Sequence, residues 1–183
     1  NVGVVGGCAE LCQAAFPSKA TEAKVCNLLC DGVGIYGFIH LLQKFGKDID
    51  PIFFCEELHA CPVHDGGSAV INQMTVTPPT GPQGTTFEID VFFTVRNQTS
   101  TGEIVMDIQP PKSQAFGDGE LDTGMAPGQY TMKFTLETQP TEQESFEAGA
   151  YNFEFTMCDG QCGAPYPHTA MLAQKAGNFT ITA

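Results

Sequence analysis

Between Pro62 and Ser68, in the stretch PVHDGGS, the spacing of apolar residues changes from helical to every second residue. A helix repeats its face about every 3.6 residues and a strand about every 2, so one element cannot serve both patterns. The change predicts an α+β chain of two domains: a small helical domain over residues 8–62 and an antiparallel β-sandwich over residues 69–183. The Gly/Pro-bearing stretch between them reads as a linker. An apolar, glycine-rich segment, residues 1–7, precedes both.

In the first half, Cys8 and Cys12 share one helical face. Pro17 breaks that element, and Ser18 is placed to cap the next one, expected over about residues 19–31 with Ala23, Cys26, Leu29 and Cys30 at helical spacing. Ile35, Phe38, Ile39, Leu42 and Phe45 then form one apolar stripe, with His40, Gln43, Lys44 and Lys47 opposite. Asp50-Pro51 marks a further helix start, with Ile52, Phe53, Cys55 and Leu58 facing inward. A module of about 60 residues buries little apolar surface, so covalent staples are expected.

Cys30, Tyr36, the run Phe38-Ile39-His40-Leu41-Leu42, Pro51, Cys55, Leu58 and Cys61 together resemble the second half of a saposin-like (saposin B-type) domain. That resemblance covers about the first 62 residues, and the gaps from Cys12 to Cys26 and from Cys26 to Cys30 are shorter than the family usually has. It implies helices under three disulfides, Cys8–Cys61, Cys12–Cys55 and Cys26–Cys30. An antiparallel hairpin, with Cys8–Cys30, Cys12–Cys26 and Cys55–Cys61, is the alternative. The resemblance also implies action on lipid, in which case Ile35, Phe38, Ile39, Leu42 and Phe45 would open onto a membrane or lipid ligand.

In the second half, Phe87, Ile89, Val91, Phe93 and Val95 alternate with polar residues. Tyr130, Met132, Phe134 and Leu136 do the same, as do Tyr151, Phe153, Phe155 and Met157. With Val70–Val76, Ile104–Ile108 and Phe179–Ile181 these make six expected strands. Glu147-x-Gly149-x-Tyr151-x-Phe153 resembles the immunoglobulin-type stretch whose tyrosine makes a corner hydrogen bond. Phe153 stands where that family has a cysteine, and Cys158 and Cys162, in CDGQC, are expected to close a local loop instead. A saposin-like module followed by such a sandwich resembles the secreted countin-like proteins of amoebae.

Eight cysteines in 183 residues point to an oxidising compartment. The sequons at Asn97 and Asn178 fit a secreted, N-glycosylated chain, and Asn1 is read as the start of a mature one. Eight basic residues against 21 acidic, a net charge of −13, exclude a nucleic-acid footprint. No stretch of about 20 apolar residues is present to span a membrane as a helix.

His59, Cys61, His64 and Asp65 lie close in sequence, but zinc would need Cys61 as a free thiolate, and an even cysteine count favours a disulfide. Asp118, Glu120 and Asp122 alternate in FGDGELDTG, which lacks the EF-hand pattern and reads as a solvated acidic loop. Glu56 and Glu57 are adjacent on a helix and point apart. No nucleophile motif occurs, so neither catalysis nor a metal or cofactor is expected. Phe92 points away from Phe87 and Phe93, a candidate outward contact. The expectation is a non-enzymatic secreted protein that assembles with copies of itself, Val2, Val4 and Val5 adding as a short strand to a neighbour and building a homo-oligomer or filament. Lipid binding is the alternative.

Overall fold

The structure, a computed structural model, describes residues 7–15, 30–31, 34, 37, 40, 50–57, 59–142 and 145–182. The chain divides into two compact units, Asn1–Phe54 and Cys55–Ala183. Among the described residues the helical segments are α1 (Cys8–Ala15) and α2 (Pro51–Glu57), with further helical positions at Cys30, Asp31, Gly34, Gly37 and His40. Asp50 caps α2: its Oδ1 accepts from the backbone N–H of Ile52 at 2.8 Å and of Phe53 at 3.2 Å. Pro51, lacking an N–H, follows where none is needed.

The expected α+β class does not hold. Among the described residues the two continuous helices are eight and seven residues long and make up no saposin-like helical domain; the described residues are mostly strand, arranged in two sheets. The disulfides correct the pairing that the saposin resemblance implied. Cys8 is bonded to Cys30 and Cys55 to Cys61, so neither Cys8–Cys61 nor Cys12–Cys55 forms, and Cys26 is not the partner of Cys30. Cys12 is also disulfide-bonded, and Cys158 is joined to Cys162. Bridges 22 and 6 residues apart staple locally, as a hairpin does, where the nested scheme would have tied Cys8 to Cys61.

The strands of the second unit are β1 (Ser68–Thr77), β2 (Thr80–Pro82), β3 (Thr86–Asn97), β4 (Gly102–Gln109), β5 (Phe116–Asp122), β6 (Gly128–Glu137), β7 (Gly149–Asp159) and β8 (Ala170–Thr182). One sheet has the order β1-β3-β6 and the other β2-β8-β7-β4-β5. All pairings are antiparallel except β2 with β8. Period-two alternation sets the core. Phe87, Ile89, Val91, Phe93 and Val95 of β3 meet Ile104, Met106 and Ile108 of β4, Tyr151, Phe153, Phe155 and Met157 of β7, and Phe179 and Ile181 of β8. The ring of Phe179 lies 4.4 Å from that of Phe87 and stacks on Tyr151 at 5.1 Å. The Tyr151 hydroxyl donates to the Glu147 carbonyl at 3.0 Å, so a fully buried tyrosine keeps its polar end satisfied.

Gly102 and Gly177 permit two close approaches. A Cβ at Gly177 would strike the Phe153 ring, and one at Gly102 would strike the Cys158 carbonyl oxygen.

Candidate functional site

The two sides of the sandwich close differently. On one side β1 runs beside β8. On the other, β6 and β5 end their sheets and are not hydrogen-bonded to each other. Register places Phe116, Asp118 and Glu120 of β5 opposite Ile108, Met106 and Ile104 of β4, hence on the inner face. Gly117 and Gly119 take the outer face. The edge strand thus turns two carboxylates and one aromatic inward, where β4 turns three large apolar residues.

The consequence shows on β6. Its inner residues Tyr130, Met132, Phe134 and Leu136 are only half-buried, whereas their β3 neighbours Phe87, Ile89, Val91 and Phe93 are at most 1% exposed. Between the edges lies a cavity of about 430 Å³ with Ile89, Met106, Ile108, Phe116, Met132 and Phe134 in its wall and Asp118 and Glu120 at its rim. Lys133 also reaches the rim, but its ammonium is engaged across the outer face, 2.9 Å from Glu88 and 3.7 Å from Asp90. That hydrogen bond and those charges raise its pKa. Asp118 and Glu120 have no cationic partner among the described residues.

A second polar assembly lies between β3 and β4. Thr99, Ser100 and Thr101 are each 1% exposed. Asp159 Oδ1 accepts from the Ser100 N–H at 2.7 Å, Ser100 Oγ accepts from His64 N–H at 2.8 Å, and Thr99 Oγ1 accepts from Met125 N–H at 2.8 Å. Asp122 accepts from Gly124 N–H at 3.1 Å. Burial raises the pKa of Asp159, and the nearby Asp122 carboxylate raises it further. Asp122 is raised by burial too, against the hydrogen bonds from Gly124 and Thr99. Close by, His168 Nδ1 sits 2.7 Å from Asp65, and that hydrogen bond raises the imidazole pKa. These contacts fold the turn; the described residues contain no group of His, Cys, Asp and Glu arranged to hold a metal.

Other expected positions fall as follows. His59, His64 and Asp65 do not converge on Cys61, whose sulfur is bonded to Cys55. Asp118, Glu120 and Asp122 belong to a strand and not to the acidic loop expected of them. Pro62–Ser68 is tied down: Thr101 N–H donates to the Pro62 carbonyl at 3.0 Å, and Asn97 Nδ2 donates to the Gly66 carbonyl at 3.1 Å. Asn97 and Asn178 are both exposed. A glycosylated amide keeps one N–H, so the Asn97 contact is compatible with modification. Phe92 is 40% exposed on the outer face of β3. Val2, Val4, Val5, Cys26, Ile35, Phe38, Ile39, Leu42 and Phe45 lie outside the described residues.

Sequence reasoning missed β5, although Phe116, Asp118, Glu120 and Asp122 alternate with glycines at a strand's period. It also missed Glu103, whose carboxylate accepts from Cys162 N–H at 3.0 Å and seats the CDGQC loop on β4.

Comparison with known proteins gives concordant matches along the chain. Residues 1–59 match the family described as countin N-terminal domain, and residues 69–183 match the countin C-terminal domain. Countin-1 of Dictyostelium discoideum is 39% identical over 182 residues, covering 100% of this chain and 69% of that protein. Countin-3 of the same organism is 39% identical over 181 residues, covering 99% and 80%. Countin-2 is 39% identical over 181 residues, covering 98% and 70%. Among solved structures, the C-terminal domain of wzt overlaps 74% of this chain and 86% of that one at 11% identity and a TM-score of 0.47, too low to inform fold or function.

Proposed function

The chain belongs to the countin family, and from that premise we propose that it is a non-catalytic, secreted protein that works by contact through the unpaired strand edges of its sandwich. The observation that carries this reading is the side between β5 and β6: two strand edges without a further hydrogen-bonded neighbour among the described residues flank a cavity walled by buried and half-buried apolar side chains. An edge of that kind is a template for another chain. Disulfides support the extracellular setting, as do the two exposed sequon asparagines. No helix among the described residues is long and apolar enough to cross a membrane. The alternative, lipid binding, rests on Ile35, Phe38, Ile39, Leu42 and Phe45, which lie outside the described residues, and no observation among the described residues favours it.

In its finer form, copies join one another, Val2, Val4 and Val5 adding as a strand to a neighbour's sheet edge; a head-to-tail contact of that sort builds filaments if it does not close. Sedimentation velocity on the glycosylated chain tests it. Association should rise with protein concentration and weaken with Val2→Asp and Val4→Asp together. A monomer at every concentration overturns self-assembly.

A further inference from the structure

We propose that the cleft between β5 and β6 is a docking site for an extended segment of a partner protein with a basic residue at every second position. The proposal rests on the contact reading above and is independent of self-assembly.

Three features of the cleft select that occupant. The first is backbone. β6 is ten residues long and among the described residues pairs on one side only, with β3, so its other edge offers a row of N–H and C=O groups to a further strand. The second is the incomplete cover over Met132 and Phe134. A strand added to β6 would place alternate side chains beside those residues on the same face, pointing into the cleft toward β5. The third is charge. Across the cleft stand Asp118 and Glu120, two residues apart on β5 and without a cation among the described residues. An apolar side chain placed there would strip water from two carboxylates and leave them unpaired.

Lysine and arginine meet both demands at once. Their aliphatic stems cover Met132 and Phe134, and their charged ends reach the carboxylates. Successive inward residues of a strand lie about 7 Å apart, as do Asp118 and Glu120. Lys133 does not supply this charge itself, because Glu88 and Asp90 hold its ammonium on the outer face. The apolar segment of residues 1–7 in a second copy carries no lysine or arginine, so its docking at this particular cleft would leave Asp118 and Glu120 unpaired.

The test uses the full glycosylated chain and a ten-residue peptide of alternating lysine and valine, titrated by calorimetry and by NMR. Saturable binding is expected, with shifts at Met132, Phe134 and the β6 amides. The double variant Asp118→Asn/Glu120→Gln, both positions being exposed, should weaken binding about tenfold at low salt. The glutamate–valine peptide should not bind. Methylating the peptide backbone nitrogens at the edge-facing positions should abolish binding, since charge alone survives that change and ladder bonding does not. Equal binding of the methylated peptide, equal binding to the double variant, or no binding of the lysine–valine peptide overturns the proposal. If the peptide fails while sedimentation still shows association, the cleft assignment falls and the contact reading stands; if both fail, both fall.

Discussion

Phe93→Ala and Phe134→Ala remove the same atoms from neighbouring strands, yet the structure assigns them different costs. Phe93 is fully buried, stacked on Tyr130 at 5.5 Å and tilted against Phe155 at 6.2 Å. Its truncation should cost about 4 kcal/mol, the middle of the range for a buried phenylalanine. Phe134 faces the open cleft, half-buried, with an edge contact to Phe155 at 5.9 Å. Half the transfer term, and a gap that opens to water instead of closing as a void, give about 2 kcal/mol. With a urea slope of about 2 kcal/mol/M the midpoint should fall by about 2 M for Phe93→Ala and about 1 M for Phe134→Ala. The slope itself should not change. Equal losses at the two positions would mean that β6 is covered as completely as β3, and the argument for an open cleft would fail with that result.

Three further outcomes are expected. Tyr151→Phe loses the hydroxyl bond to the Glu147 carbonyl, with the stacking on Phe179 intact, and should cost about 1 kcal/mol by thermal melting. The carboxyl of Asp159 has a folded pKa above 3.8, chiefly through burial, with Asp122 and Asp65 raising it further and Ser100 N–H and His64 opposing. A raised folded pKa gives stability that is complete below the unfolded value and is lost as pH rises through the folded one. Asp159→Asn can keep the Ser100 hydrogen bond without the charge, so its stability should fall less than the parent's as pH rises from 3.8; parallel denaturation curves for the two would count against the buried charge. Replacing Cys158 and Cys162 together by serine opens a very short loop and should cost about 2 kcal/mol by chemical denaturation, far less than abolishing the fold.

The central strands were legible because each has a wet face or a dry one at every second residue. β3, β6 and β7 show that alternation plainly, and Tyr151 was placed at its corner bond by the stretch around it. β5 was not legible because it borders the cleft: Gly117 and Gly119 face outward and Asp118 and Glu120 inward, so neither face is apolar. The turn at Thr99-Ser100-Thr101 reads as a solvent-exposed loop by composition. It is buried because Asp159 and backbone groups as far as 59 residues away bond its backbone and the Thr99 and Ser100 hydroxyls, the Thr101 hydroxyl alone of the three lacking a partner among the described residues, and local sequence carries no sign of that. Cysteine spacing shows which residues share a helical face but not which faces meet; the resemblance to a nested bundle therefore supplied the wrong partners for Cys8 and Cys55. The cleft required two strands from different sheets to end side by side, which is a property of strand order and not of either segment.

The anchoring of Pro62, His64 and Gly66 onto residues 97–101 gives the second unit a mechanical entry point. Tension arriving along the chain at Pro62 meets the Thr101, Ser100 and Asn97 contacts first, and the ladder of β1 beyond Ser68 bears load only after they give way. Loss of those contacts would lengthen the segment that leads into β1 without altering the register in which β1 pairs with β3.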